Sequence, residues 1–225
     1  MRWEPVFCAL IGYFVGIINP SYLIGRIKGF DIREKGSGNA GGSNALIVFG
    51  KIAGVLCSLF DILKAFFAIL LCRWLFPDFV QALATCGTFC ILGHIFPFYM
   101  RFKGGKGLAC LGGMILAFDW RLFLIMLGSE IVLALILDYI CVVAPSASVI
   151  FTVYYGIVTK DVVGVLILVL GVAAICSRHV VNLRKIRAGT EMHLSYLWHP
   201  NEEIDRVAGG ASDEEKDDAF PGRGE

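Results

Sequence analysis

Apolar residues run through this chain in long blocks separated by short polar stretches. Seven blocks read as helices of a membrane protein: residues 6–26, 48–76, 79–96, 108–118, 122–140, 142–158 and 162–177. A helix needs about 20 mainly apolar residues to cross the hydrocarbon layer. Most of the blocks approach or exceed that length, and the fourth is short enough to be partly embedded instead. Pro77-Asp78, Asp119-Trp120-Arg121 and Lys160-Asp161 mark tight turns. Three longer polar segments remain, and they carry the interesting side chains. The pattern predicts an all-α integral membrane protein of about seven transmembrane helices with short loops, its membrane domain at residues 1–198. From about residue 199 the chain turns acidic and glycine-rich and loses apolar periodicity, so the pattern predicts a disordered acidic tail over 199–225.

Composition agrees with the pattern. Hydrophobic residues make up 57% of the 225, and mean hydropathy is +0.72, above the roughly 45–50% apolar share of soluble domains. The first block carries Asn19, Pro20 and Ser21 and lacks a clean small-residue cleavage site, so it reads as a retained helix, not a signal peptide. The eight cysteines lie mostly within apolar blocks and form no CxxC pair, which fits buried, reduced, structural thiols. No metal site and no cofactor are expected.

The net charge of +1 is uninformative, but its distribution is not. With the N-terminus outside, the inner loops hold Arg33, Lys35, Lys51, Arg101, Lys103, Lys106, Arg178, Arg184, Lys185 and Arg187. The outer turns hold mainly Arg73, Arg121 and Lys160. The positive-inside rule favours this threading. It places all three polar segments on the cytoplasmic side of the cell membrane, where they can converge on one site.

The first polar segment reads Gly36-Ser37-Gly38-Asn39-Ala40-Gly41-Gly42-Ser43-Asn44. Glycines let successive backbone N–H groups point at one anion, and hydroxyls and amides add further hydrogen bonds. A flexible connector is the plain alternative for this segment. The second runs from Gly93-His94 through Phe96-Pro97 to Lys103-Gly104-Gly105-Lys106-Gly107, ending at the start of a helix. Basic residues there orient helices, but orientation requires no glycines, whereas a phosphate cradle at a helix N-terminus does. The third carries Arg178, His179 and Asn182, then Gly189-Thr190-Glu191. If the last helix continues, Arg178 and Asn182 share a face at a spacing of four. Asp61 and Lys64 lie three apart inside the second block, where an ionisable pair is either functional or mutually satisfied. Glu130 and Asp138 are acids for which the sequence names no partner. There is no serine nucleophile elbow, HExxH, Walker loop or HxxxxD pattern, so covalent catalysis has no obvious nucleophile.

Together the three segments resemble the acyl-phosphate-dependent glycerol-3-phosphate acyltransferases of bacterial membranes, the PlsY family. The resemblance spans residues 19–191. It implies transfer of a fatty acyl group from acyl phosphate to the first hydroxyl of glycerol 3-phosphate, giving lysophosphatidic acid and phosphate in phospholipid biosynthesis. The implied partners are those two substrates and membrane lipid, with no nucleic acid. Carried over position by position, Ser37, Lys106, His179, Asn182 and Glu191 become the catalytic residues. Gly36, Gly38, Asn39, Gly41, Asn44, Lys103, Gly104, Gly105 and Arg178 become the phosphate-binding ones. The proton acceptor is either His179 or a substrate phosphate. The chain departs from the family pattern in four places. Ile47 stands where an arginine is usual, so Ile47→Arg is expected to strengthen donor binding if the ancestral site survives. Ser43 replaces a threonine and Ala65 a glycine. Cys141-Val142-Val143-Ala144 replaces a serine-bearing segment, although Ser146 and Ser148 follow. These departures leave room for a divergent paralogue with another acceptor. The alternative from another class is a carrier or binding protein for an anionic lipid or small phosphate compound. A carrier is expected to show internal repeats and a midplane site, and neither is evident.

Overall fold

The computed structural model describes residues 3–209 together with Asp218 and Ala219. Among them every regular element is helical: α1 (Glu4–Gly16), α2 (Pro20–Ile27), α3 (Gly42–Phe49), α4 (Lys51–Leu75), α5 (Ala82–Ile95), α6 (Leu108–Phe118), α7 (Trp120–Leu137), α8 (Val143–Thr159), α9 (Val162–Arg187) and α10 (Pro200–Ala208). Six helical stretches are long and apolar enough to cross a membrane, α1 and α2 counting as one, and α6 is a shorter apolar helix of 11 residues.

The first two expected helices are each divided. Pro20 has no N–H to offer the Gly16 carbonyl one turn back, so the first helix breaks. Asn19 then caps α2 by accepting from the Tyr22 N–H at 2.8 Å. The second divides at Gly50, whose φ of +90° ends α3 and starts α4 in a new direction. The last expected helix instead runs ten residues beyond residue 177, because α9 continues to Arg187.

Lipid supplies no water to the carbonyls opened at the first break, so the protein must satisfy them. Lys64 Nζ reaches Gly16 O at 3.0 Å and Ile18 O at 2.5 Å, and Tyr99 donates its hydroxyl to Ile17 O at 2.7 Å. The same ammonium pairs with Asp61 at 2.6 Å and lies 3.1 Å from His94 Nδ1. The Asp61–Lys64 ion pair is therefore a structural hub that holds the broken helix to α4 and α5. Asp61, His94 and Cys110 bring ligand-type atoms within 4.8 Å of one another, but the cation of that cluster is Lys64.

Despite its length, α6 runs from one end of the bundle to the other. Its N-terminus follows the second polar segment, and near its C-terminus Ala117 O accepts from Arg73 at the far end of α4, at 2.7 Å. Gln81 and Asp161, 3.0 Å apart, join the starts of α5 and α9 at that same far end. Among the described residues the chain therefore passes along the bundle seven times, six of them in stretches long enough to cross a membrane, with the three polar segments gathered at the opposite end. All eight cysteines are free and seven are buried.

The expected tail is partly ordered. Pro200 at the first position, Glu202 and Glu203 in the first turn and a buried Ile204 make α10 a proper helix despite its acidity. Asp218 and Ala219 are also described, and the rest of 210–225 lies outside the described residues.

Candidate functional site at the polar end of the bundle

The glycine-rich segment is an ordered loop built around Asn44. This side chain is fully buried. Its NH2 lies within 3.0 Å of the Ile32, Lys35 and Asn39 carbonyls, and its Oδ1 accepts from the Ser37 N–H at 2.7 Å. Asn44 thus shapes the loop and has nothing left for a ligand, which corrects its assignment as a phosphate contact. Gly36 and Gly38 take φ of +58° and +78°, and a Cβ on Gly36 would strike the Asn44 amide. Gly41 is the extended N-cap residue of α3. The Gly36 N–H is held by Ala219 O at 2.6 Å, and Lys35 Nζ by Asp218 O at 2.8 Å. Ser37 Oγ and the Asn39 side-chain amide make no hydrogen bond among the described residues. Ile47 is buried with Ile32, Val48 and Met100 beneath the loop. Its side chain is part of the loop's apolar floor and does not stand in an anion site.

The second loop is locked by backbone pairing. Gly104 and Gly105 N–H donate to the Ile95 and His94 carbonyls at 2.9 and 3.0 Å, and a Cβ on Gly105 would run into the His94 ring. These two glycines exist for close packing, and their N–H groups are spent, so they position Lys106 and leave no amide for phosphate. His94 serves as their support, the packing role open to a histidine at a helix end. Gly107, at φ +89°, starts α6 and lies against Ile91, Ile95 and Ile175, which brings Lys106 beside α9. Lys103 is exposed, and its carbonyl accepts from Arg33 at 3.0 Å, as Met100 O does at 2.7 Å. Arg33, itself paired with Asp31 at 2.5 Å, is the staple between the two loops. No sequence pattern marks this role, because the groups Arg33 binds across the loops are backbone carbonyls.

The third segment completes the site. Lys106 lies within electrostatic range of Glu191 and Arg178, and His179 within range of Lys106 and Arg178. The Lys106 side chain is partly buried, and the loss of solvent holds its ammonium below the ordinary lysine pKa. It makes no hydrogen bond or ion pair among the described residues. His179 is buried, with Nδ1 2.8 Å from Ile175 O. A carbonyl can only accept, so Nδ1 carries the proton and Nε2 is left as an acceptor. Asn182 donates its amide to Glu191 Oε1 in a short hydrogen bond, while its own Oδ1 is buried without a partner among the described residues, as is Arg178 Nε. Among the described residues no hydrogen bond joins Ser37 to Lys106 or His179; the two loops are tied through Arg33. One residue was missed from the sequence as a site component: Cys141, whose thiol lies beside Glu191 and within electrostatic range of Lys106. The signal was its place in the departing 141–144 segment. Ser146 and Ser148 do not substitute there, since Ser146 bonds Glu130 and the Val142 and Val143 carbonyls, and Ser148 bonds Pro145 O.

The site therefore offers unspent groups of a particular kind: two cations, one hydroxyl, two amides and an imidazole acceptor, at the end of an apolar bundle. That set suits an anion carrying an apolar tail, together with a hydroxyl that must lose a proton.

Comparison with known proteins agrees. Residues 6–189 match the family model described as "Glycerol-3-phosphate acyltransferase". A glycerol-3-phosphate acyltransferase of Thermotoga petrophila is 35% identical over 187 residues, covering 81% of this chain and 92% of the relative. That of Bacillus subtilis strain 168 is 32% identical over 189 residues, covering 84% and 96%. The crystal structure of PlsY, an integral membrane glycerol 3-phosphate acyltransferase, in its glycerol 3-phosphate form superposes with a TM-score of 0.79 at 27% identity, covering 88% of this chain and 98% of that one. Its lysophosphatidic acid form gives 0.74 at 28% identity, covering 84% and 94%.

Proposed function

This chain belongs to the glycerol-3-phosphate acyltransferase family, and on that premise we propose how its residues carry out the reaction. It is an integral membrane acyltransferase of phospholipid biosynthesis that moves a fatty acyl group from acyl phosphate to the sn-1 hydroxyl of glycerol 3-phosphate. The hydroxyl oxygen attacks the acyl carbonyl carbon, the bond to the phosphate oxygen breaks, and phosphate leaves with the electron pair. The hydroxyl proton passes to His179 Nε2, the acceptor left open by the Ile175 hydrogen bond. Lys106 and Arg178 neutralise phosphate charge, and Ser37 and Asn39 hydrogen-bond the donor's phosphoryl group. Asn182, oriented by Glu191, accepts from the acceptor substrate. Acyl phosphate is already activated, so positioning and electrostatic stabilisation account for the rate without a covalent intermediate.

The observation that carries this reading is the desolvated Lys106 ammonium, unspent among the described residues, near an imidazole whose free nitrogen is an acceptor. We further infer, from the excess of Arg and Lys at this end, that the site faces the cytoplasm. Purified protein in detergent, given acyl phosphate and glycerol 3-phosphate, should form lysophosphatidic acid and phosphate in equal amounts. Hydrolysis of acyl phosphate with no acylated product would count against this acceptor.

A further inference from the structure

The family model ends at residue 189, yet the chain beyond it reaches back into the site. Arg206 on α10 donates from NH1 to Gly189 O and from NH2 to Glu191 O, both at 2.6 Å. It is also held by Glu203, with NH2 at 2.7 Å and Nε at 3.1 Å. Glu203 is itself buried and accepts from the His193 N–H at 3.1 Å, and His193 Nδ1 lies 3.2 Å from it. Further along, Asp138 at the end of α7 takes the Ser195 N–H and hydroxyl at 2.9 and 3.1 Å. Ile204 and Tyr196 anchor the segment in the apolar cluster beneath the glycine-rich loop. A guanidinium fork satisfies two carbonyls and a carboxylate at once, which an ammonium of lysine cannot do with the same geometry.

We propose that α10 is a positioning element for acyl transfer. Arg206 fixes the backbone of 189–191, which sets the Glu191 carboxylate on the Asn182 amide and keeps Asn182 Oδ1 turned toward the acceptor hydroxyl. Arg206 is a positioning residue and touches no substrate. The proposal rests on the reading of Asn182 and Glu191 given above.

The test uses full-length Arg206→Gln, Arg206→Lys and Glu191→Gln, and the double variant that combines Arg206→Gln with Glu191→Gln. Kinetics are measured in both substrates, with thermal midpoints in detergent. Arg206→Gln should raise KM for glycerol 3-phosphate roughly tenfold, the scale of one charge-assisted hydrogen bond, leaving KM for acyl phosphate and the melting point near wild type. Arg206→Lys should show the same acceptor-specific defect. In the Glu191→Gln background, Arg206→Gln should add nothing further. Wild-type kinetics in Arg206→Gln beside an impaired Glu191→Gln would overturn the proposal alone. So would fully additive losses, or equal losses for both substrates with a lowered melting point. Wild-type kinetics in Glu191→Gln would overturn the reading of the site, and the proposal with it.

Discussion

Lys106 shows most directly how desolvation sets chemistry here. Its ammonium has lost much of its water and has no counter-ion in contact among the described residues, so its pKa sits below that of a free lysine. Phosphate binding needs the charged form, and that form is lost as pH rises through the lowered pKa. The alkaline limb of kcat/KM for acyl phosphate should therefore fall at lower pH than an exposed lysine would give. Lys106→Arg should push that limb upward, whatever it does to the absolute rate. Ile47 leads to the opposite outcome from the one its sequence position invites. It is buried in the loop's apolar floor, so Ile47→Arg should add an uncompensated charge and cost on the order of 3 kcal/mol. A lowered thermal midpoint with no gain in donor affinity would be the sign. The sequence showed which residues were chemically unusual, but not how each is spent. Asn44, Gly104 and Gly105 resemble ligand contacts in one dimension, yet they build the loops. Arg33 and Arg206 look like ordinary surface charge, yet they bind backbone carbonyls, and a carbonyl's position has no signature in sequence.

At the scale of elements, apolar blocks located the helices but not their breaks. Apolar residues flank Pro20 and Gly50 on both sides, so the pattern merges what the backbone divides. It also stops at the membrane surface, while the α9 backbone continues for a further ten residues into the polar layer. Helix α10 was illegible because the contacts that dock it, Arg206 and His193 on Glu203, form only in three dimensions. The break at Pro20 makes Lys64 a structural necessity: it satisfies two freed carbonyls and the Asp61 carboxylate. Lys64→Met should leave that carboxylate and both carbonyls buried without a cation, at a cost of about 3–5 kcal/mol. Thermal unfolding in detergent should show a large loss, and with it a loss of activity that follows the folded fraction. Stability equal to wild type would mean that the hub is not holding the broken helix.

Across the whole molecule, seven passes deliver every polar segment to one end, and this much followed from hydropathy and charge before any coordinates. Sidedness can be tested with cysteines introduced at Lys103 and Arg187 against ones at Arg121 and Lys160, in a background where the reactive native thiols are replaced. An impermeant reagent applied from outside should label only the second pair; labelling of the first pair would invert the assignment. The proposed reaction centres on one polar site in which the desolvated Lys106 receives the donor's phosphate. Turnover of purified Lys106→Ala, with folding checked by its melting point, tests this most directly. Losing a preorganised cation at the reacting phosphate should cut kcat/KM for acyl phosphate by roughly 100-fold or more, with the helical bundle intact. Near-normal turnover in a folded Lys106→Ala protein would contradict the central role of this lysine.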